Sequence, residues 1–278
     1  MCSAGRSTHQ GNRYGRCPHS GDRILIAYWV WPVPTAPFKS LQMWPKFLLE
    51  LMWQYRYSLG SNHWTEDVRM GATAQLKGVA ILCGGHSRRM GTDKALVDFE
   101  GMPLLRRHVE AILGLNLDVP IYISSGTKRY ETLDECGVVY APDVVAGAGP
   151  LSGLAGALIT AEESGTHGGH LFAMPVDTLV PPEVLLDHLT KARLDTSGAA
   201  LIKGQRLHPV HGLFPISAAA ALGEFVQSGG RAVMGFLETL HIEEVAIGEE
   251  WESCLNFNYP DDFVAARDAL AQIISLNS

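Results

Sequence analysis

Two glycines and three cationic side chains lie close together in one short segment, a combination suited to holding a polyphosphate. Gly84 and Gly85 permit a sharp turn with close ligand approach, and the free N–H groups of such a turn attract anions. Arg88 and Arg89 would supply planar guanidinium groups that fit phosphate oxygens, while Lys94 would place a compact charge near the reacting phosphorus. The segment therefore predicts a triphosphate-binding loop.

The spacing of this loop differs from two familiar phosphate-binding motifs. It fits neither GxxxxGK[ST] nor GxGxxG, which disfavours a P-loop or a dinucleotide-binding fold. The plain alternative is a turn after a strand with solvated arginines, and a bare pair of glycines would favour it. The RRMG and DK elements at this spacing favour the phosphate-binding interpretation instead.

A second candidate is Asp177, which follows the apolar segment 170–174 within the sequence PVDT. A carboxylate at the end of a buried strand lies at the crevice where open α/β sheets bind ligands. Because Mg²⁺ prefers a carboxylate together with phosphate oxygens and water, a single aspartate can suffice. The alternative is a helix N-cap before Pro181 and Pro182, for which Thr178 is the nearer polar residue. We therefore predict that Asp177 binds magnesium.

Strand-like and helix-like segments alternate along the chain from Leu76 onward. The predicted strands are residues 78–82, 120–124, 138–140, 170–174, 199–202, 207–214 and 242–246. The predicted helices are one that opens at Pro103 and those at residues 151–162, 181–193, 216–227, 232–240 and 261–274. This order predicts an α/β fold with a mainly parallel, twisted sheet and helices on both of its faces.

Composition and charge limit the class of protein. The 278 residues can bury a full core, and a net charge of -7 gives no reason to expect a nucleic-acid partner, whose binding needs many Lys and Arg contacts. The five cysteines include no CxxC pair. That pattern disfavours a disulfide framework or a zinc cluster and fits a reducing cytoplasm.

Residues 1–75 differ from the rest of the chain. They hold five of the six tryptophans and eight Lys or Arg against four Asp or Glu. The apolar run at 24–31 is shorter than the roughly 20 residues of a transmembrane span, so we expect no stable membrane insertion. A signal peptide fits poorly, whereas a short amphipathic helix at 46–57 leaves a peripheral membrane contact open. We predict an N-terminal extension, with Met70 as the working start, ahead of a catalytic domain at 76–278.

The glycine-rich segment resembles the pattern of a known family. Its sequence LCGGHSRRMGTDK is similar to the L-[AC]-G-G-x-S-x-R-M-G-x-D-K element of the molybdenum cofactor guanylyltransferases, a branch of the α/β nucleotidyltransferases. The likeness extends from about Lys77 to Asp262 and implies a Rossmann-like nucleotidyltransferase fold. The nucleotide-binding residues that it implies are Leu82, Cys83, Gly84, Gly85, Lys94, Ser124, Asp143 and Asp177.

Three of these positions either differ from the family pattern or would not indicate nucleotide binding by themselves. Cys83 stands where Ala is commoner, and we interpret it as a packing residue rather than a nucleophile. Ser124 stands where many relatives carry Asn, and serine reaches less far. Asp143 precedes the stretch GAGPLSG, as in the family, although an aspartate beside glycines is by itself usual in turns.

Two further segments resemble family elements that lie near the pterin. RLHPV contains His208, which alone would be interpreted as a packed or solvated histidine. NFNYP resembles N-x-N-T-P, with Tyr259 in place of threonine. Asn256 and Asn258 point the same way on an extended chain and could bind a pterin edge.

The resemblance implies a complete reaction. GMP would pass from GTP to the terminal phosphate of molybdenum-molybdopterin and pyrophosphate would leave, with Mg²⁺ as cofactor. Lys94, Arg89 and Asp177 would be the catalytic residues. Because the attacking phosphate is already ionised, no general base is needed.

Other functions stay open at this point. A cytidylyltransferase that uses CTP on the same pterin is the nearest alternative, but that group tends to show L-A-A-G-x-S-x-R-M-G-x-P-K. A sugar-phosphate nucleotidyltransferase is poorly matched by the HP and NFN elements. A silent adaptor that hands over the cofactor would not need both Lys94 and Asp177. The resemblance also allows apo-molybdoenzymes and cofactor chaperones as partners in the cytoplasm.

Overall fold

A computed structural model describes residues 75–83 and 90–276 of the chain. The proposed N-terminal extension, and with it the working start at Met70, lies outside the described residues. So do Gly84, Gly85, Arg88 and Arg89 of the predicted phosphate loop.

A seven-stranded sheet forms the centre of the described part, in the order β5-β4-β1-β6-β8-β7-β9. Its strands are β1 (Leu76–Leu82), β4 (Ile121–Ser124), β5 (Val139–Ala141), β6 (His170–Pro175), β7 (Ala199–Lys203), β8 (Leu207–Pro215) and β9 (Ile242–Ala246), and β2 (Asp98–Phe99) and β3 (Met102–Pro103) form a separate hairpin. Only β8 runs against its neighbours in this sheet, while the remaining adjacent pairs are parallel. The predicted mainly parallel α/β sheet is confirmed.

Helices cover both faces of this sheet. They are α1 (Leu104–Gly114), α2 (Pro150–Glu163), α3 (Pro182–Leu189), α4 (Ala219–Gln227), α5 (Val233–Leu237) and α6 (Pro260–Leu276). Val79 and Ile81 of β1 pack into a core with α1, α3 and α6, whereas Ala80 and Leu82 pack into a second core with α2, α4 and α5. Successive side chains of a strand point to opposite faces, so an unbroken apolar run is needed where both faces are covered.

Several elements differ from the sequence prediction. The helix predicted at 232–240 is shorter, Val233–Leu237, and after it the Leu240 N–H closes a tighter turn on the Leu237 carbonyl at 3.0 Å. The helix predicted at 181–193 is shorter, because after Leu189 the chain closes tighter turns in which the Ala192 N–H bonds the Leu189 carbonyl at 3.1 Å. The helix predicted from residue 216 starts with a 3-10 turn, Ile216–Ala218. The β2–β3 hairpin was not predicted, since two-residue strands carry no periodicity to detect.

None of the helices within residues 75–83 and 90–276 combines the length and apolar character that crossing a bilayer requires.

Candidate active site

The candidate site lies at the carboxyl ends of three neighbouring parallel strands. Leu82, the last residue of β1, pairs with Ser124 of β4 on one side and Pro175 of β6 on the other. The Cys83 N–H donates to the Ser124 carbonyl at 2.7 Å, and the Val176 N–H donates to the Leu82 carbonyl at 3.0 Å. The predicted phosphate loop therefore leaves the sheet between the segments that carry Ser124 and Asp177, in the usual ligand crevice of such sheets.

Lys94 is the centre of the polar contacts in this crevice. It opens a 3-10 turn, Lys94–Leu96, and its side chain is only 13% exposed. The ammonium donates to Asp177 Oδ2 at 2.7 Å, to the Phe257 carbonyl at 2.7 Å and to Asn258 Oδ1 at 3.0 Å. Three acceptors match the three N–H donors of a lysine, so its hydrogen-bonding capacity is fully used.

Asp177 occupies the turn that follows β6. Its side chain is 16% exposed, and its second oxygen, Oδ1, is buried without a hydrogen-bond partner in the described part of the chain. Asp177 does not cap α3, because the N-cap position is Pro181 and carries no side-chain cap bond. Thr178 is not a cap either, since its hydroxyl donates to the Cys254 carbonyl at 3.1 Å and accepts from the Val180 N–H at 3.2 Å.

A free carboxylate oxygen in this position fits a divalent cation. No cluster of three or more His, Cys, Asp or Glu arranged for a metal occurs within residues 75–83 and 90–276. Mg²⁺ that binds a nucleotide needs only one or two protein carboxylates, since phosphate oxygens and waters complete its octahedron. Within the described residues, Asp177 Oδ1 is a buried carboxylate oxygen without a hydrogen-bond partner, which suits such a metal.

The two asparagines of NFNYP lie together beside Lys94. Asn258 Nδ2 donates to Asn256 Oδ1 at 2.7 Å, while Asn258 Oδ1 accepts from Lys94. Asp262, in the first turn of α6, accepts from the N–H groups of Asn258 and Tyr259, each at 3.0 Å. These bonds tie the NFNYP segment to the start of α6. The Phe257 N–H donates to the Asp177 carbonyl at 3.1 Å and so joins the same segment to the Asp177 turn.

Asp93 has a positioning role that the sequence interpretation missed. It caps the turn of Lys94, because its Oδ1 accepts from the Ala95 N–H at 3.0 Å. Its other oxygen accepts from the Tyr130 hydroxyl at 3.1 Å and pairs with the Lys128 ammonium. An aspartate placed two residues before a turn amide is a recognisable capping signal, but the Tyr130 and Lys128 contacts span 35 residues or more and leave no local pattern.

Ser124 and Asp143 form a second polar pair at the same edge of the sheet. The Ser124 hydroxyl donates to Asp143 Oδ1 at 3.2 Å. Burial raises the pKa of Asp143, against the opposing effect of the hydrogen bonds from Ser124 and from the Gly126 backbone. Gly153 of α2 lies directly against the Ser124 side chain, where an added Cβ would overlap the hydroxyl. A glycine-rich face of α2 therefore lets the helix approach this pair closely.

Cys83 lies next to these groups and is not suited to nucleophilic attack. Burial, together with the negative charges of Asp93 and Asp177, raises the pKa of its thiol well above the ordinary value. The thiolate is the reactive form of cysteine, so a raised pKa keeps the side chain inert. This agrees with the packing role predicted for it.

His208 lies in a bulge of β8 and contacts another histidine. Leu201 of β7 pairs with Gly212 but Lys203 pairs with Leu207, so four residues of β8 oppose a single residue of β7. The His208 and His211 rings meet edge to face, with centroids 5.2 Å apart. Both rings are buried, and burial lowers both pKa values, that of His211 to about 3.

Another buried histidine contacts the backbone next to Asp177. His108 of α1 donates from Nε2 to the Val176 carbonyl at 3.2 Å. Burial and the nearby Arg107 lower its pKa to about 3, which keeps the ring neutral. The helix α1 thereby holds the backbone next to the candidate metal ligand.

Of the site residues predicted from sequence, Lys94 contacts both Asp177 and Asn258, and Asn256 joins them through Asn258. Ser124 and Asp143 form a separate pair nearby. Leu82 and Cys83 lie where the predicted loop begins. The roles predicted for all of these residues and for His208 stay predictions, as do those of Gly84, Gly85 and Arg89, which lie outside the described residues.

Two curated relatives match this chain over most of their own length. It is 30% identical over 203 residues to the molybdenum cofactor guanylyltransferase of Rhizobium rhizogenes, a match that covers 69% of this chain and 92% of that one. It is 28% identical over 199 residues to a probable molybdenum cofactor guanylyltransferase of Opitutus terrae, with 69% and 96% covered.

A solved structure and a family model agree with these matches. The crystal structure of molybdopterin-guanine dinucleotide biosynthesis protein A from Archaeoglobus fulgidus superposes with a TM-score of 0.54 at 26% identity, covering 70% of this chain and 99% of that one. The predicted nucleotidyltransferase fold is therefore confirmed. The model of the MobA-like NTP transferase domain matches residues 79–243. The chain belongs to the MobA-like NTP transferase family, and it is a nucleotidyltransferase.

Proposed function

We propose that this protein transfers GMP from GTP to the terminal phosphate of molybdenum-molybdopterin, giving molybdopterin guanine dinucleotide and pyrophosphate. The names of the matched relatives support this assignment, since they are called molybdenum cofactor guanylyltransferase or probable molybdenum cofactor guanylyltransferase. The observation that carries it is the contact of Lys94 with both Asp177 and Asn258, because it joins the candidate nucleotide side to the candidate pterin side.

The proposed step is an in-line displacement at the α-phosphorus of GTP. A pterin phosphate oxygen forms the new P–O bond, and the bond from the α-phosphorus to the oxygen that bridges it to the β-phosphorus breaks. Pyrophosphate leaves with the electron pair. The attacking oxygen is already anionic, so the protein's part is positioning and charge stabilisation rather than proton abstraction.

Asp177 would hold Mg²⁺ together with phosphate oxygens, and the metal would supply charge neutralisation of the triphosphate. Lys94 and Arg89 would offset the charge that develops on the leaving pyrophosphate. Asp93, Lys128 and Tyr130 would keep the turn of Lys94 in place.

The other proposed contacts fall on two sides of Lys94. On the nucleotide side we propose Leu82, Cys83, Gly84, Gly85, Ser124 and Asp143. On the pterin side we propose Asn256, Asn258 and His208. Both substrates are cytoplasmic in this proposal, and transfer of the product to chaperones or apoenzymes stays a prediction.

The CTP-dependent alternative is not favoured, because the matched relatives are named as guanylyltransferases. The test is pyrophosphate release by the purified full chain with Mg²⁺ and either GTP or CTP, with and without molybdenum-loaded pterin. We expect release only with GTP and pterin together. Release with CTP at an equal rate would reassign the base, and no release with any nucleotide would reject catalysis in favour of an adaptor.

The domain division is also a proposal. We propose that residues 1–75 stand outside the catalytic domain, because the family model begins after them, at residue 79. A chain that starts at Met70 should keep its soluble expression and its rate of pyrophosphate release. Loss of either would place part of the catalytic domain before that residue.

A further inference from the structure

Lys94 joins two segments that bind different substrates in the proposed function. Asp177 belongs to the turn after β6, and Phe257 and Asn258 belong to the segment before α6. All three donors of the ammonium are engaged, and the lysine and aspartate side chains are both largely buried. The ammonium therefore already neutralises the Asp177 carboxylate through Oδ2, while Oδ1 has no hydrogen-bond partner in the described part of the chain.

The same contacts occupy the two asparagines. Asn258 Oδ1 accepts from Lys94, and Asn256 Oδ1 accepts from Asn258 Nδ2. One lone pair of each amide oxygen is thus already used within the protein. A ligand that approaches the two asparagines therefore meets the buried Lys94 ammonium, which is hydrogen-bonded to Asn258.

We propose that Lys94 couples the two substrate sides, so that bound GTP raises the affinity of the protein for the pterin. This rests on the proposed function. A triphosphate offers Lys94 more negative charge than one carboxylate and two neutral oxygens, and an incoming Mg²⁺ takes over the charge of Asp177. Lys94 then turns to the phosphates, and Asn258 is released to bind the second substrate.

This coupling is reciprocal. If nucleotide raises the affinity for the pterin by some factor, the pterin raises the affinity for nucleotide by the same factor. A hydrogen bond between a charged and a neutral group is strong enough for its loss to change binding about tenfold. The coupling is thus visible in equilibrium binding and needs no turnover.

The experiment measures binding of molybdopterin to the full chain by anaerobic ultrafiltration. The nucleotide is α,β-methylene GTP with Mg²⁺, which cannot transfer GMP because its α–β bridge does not break. We expect the wild-type protein to bind molybdopterin about tenfold more tightly with this nucleotide than without it. Equal affinity in the two conditions would overturn the proposal.

Lys94→Met removes the ammonium but keeps an unbranched side chain of similar length. We expect this variant to bind molybdopterin without nucleotide about as tightly as the wild-type protein does with it. Lys191→Met is the matched control, because Lys191 also pairs with an aspartate, at 2.8 Å from Asp187. This pair is exposed and lies on α3 and the turn after it. The control should keep the wild-type dependence on nucleotide.

The outcomes separate this inference from the proposed function. Binding of the nucleotide analogue is measured first, and its absence would reject the proposed function itself. If the analogue binds and pterin affinity is unchanged, only the proposed coupling is wrong. If Lys94→Met does not fold, the comparison of wild-type protein with and without nucleotide decides the question alone.

Discussion

The Lys94 ammonium lies 2.7 Å from the Asp177 carboxylate although 83 residues separate the two in sequence. Lys94 follows the predicted phosphate loop, which comes after β1. Asp177 follows β6, the strand next to β1 in the sheet. Parallel strands bring both to the same edge of the sheet, which is why distant segments can form one site. The predictions below test what this pair and its supports contribute.

Removal of either charge should abolish most catalysis without unfolding the protein. Lys94→Met and Asp177→Asn are each expected to lower kcat by about 100-fold or more, since preorganised charges of this kind contribute that much to transition-state stabilisation. The measurement is steady-state pyrophosphate release, with circular dichroism to check the fold. Lys191→Met is the control and should keep the wild-type rate; a rate within twofold of wild type in Asp177→Asn would contradict the metal role.

Asp93 should act through the turn that carries Lys94. Asp93→Ala removes an N-cap bond, for which about 1 kcal/mol of unfolding free energy is typical, and it also frees Lys128 and Tyr130. We expect that loss of stability together with a lower kcat, because Lys94 is held less firmly. Urea titration and kinetics measure the two effects.

The matched control for Asp93 is Asp98→Ala, which removes a similar bond, from the Gly101 N–H at 3.2 Å, in the β2–β3 turn. It should cost comparable stability but leave kcat unchanged. A normal kcat in Asp93→Ala would mean that its contacts do not position Lys94.

Gly153 should not tolerate a methyl group. Gly153→Ala would place a Cβ on top of the Ser124 hydroxyl, and overpacking of this kind costs about 1–3 kcal/mol. We expect a lower melting temperature and a raised KM for GTP, because the clash moves Ser124 and its partner Asp143.

Gly223→Ala in α4 is the control for this change. Its Cβ would meet only the end of the Ile159 side chain, at 3.2 Å. Because alanine favours a helix by up to about 1 kcal/mol over glycine, this variant should be as stable as wild type or more so. Equal behaviour of the two variants would show that α2 does not pack closely on Ser124.

The buried histidines should make the protein sensitive to acid. His108 and His211 have pKa values lowered from 6.5 to about 3 by burial, so the folded protein binds fewer protons than the unfolded chain between these values. Stability is therefore fully present above about pH 6.5 and falls as the pH drops toward 3, with up to about 1.4 kcal/mol per pH unit from each group.

The measurement for this prediction is the free energy of urea unfolding between pH 7 and pH 4. His211→Gln, which cannot take up a proton, should show a shallower decrease than wild type over that range. His167→Gln, at an exposed position in the loop before β6, should match the wild-type slope. An unchanged slope in His211→Gln would mean that this ring is protonated in the folded state.

Much of the fold could be predicted from local sequence. The apolar runs of β1 and β6 are unbroken because both faces of the sheet are covered, and Pro103 marks the start of α1. The shortening of α3 and the bulge that brings His208 beside His211 could not be predicted, since each depends on how a neighbouring element pairs.

The candidate site could be predicted only in part from the sequence, for a similar reason. Lys94, Asp177 and Asn258 stand in recognisable motifs, and each motif ends a strand or opens a turn. Their mutual contact, and the support of Asp93 by Tyr130, are set by tertiary packing. A single sequence carries no signal for such contacts, because it holds only the spacing of residues along the chain.

The most direct test of the proposed reaction follows two labels of GTP. The full chain is incubated with Mg²⁺, molybdenum-loaded pterin and GTP labelled at either the α- or the γ-phosphorus. We expect the α-label in the pterin product and the γ-label in pyrophosphate, with neither transfer in Asp177→Asn. A γ-label in the pterin product, or no transfer of the α-label by the wild-type protein, would contradict the account.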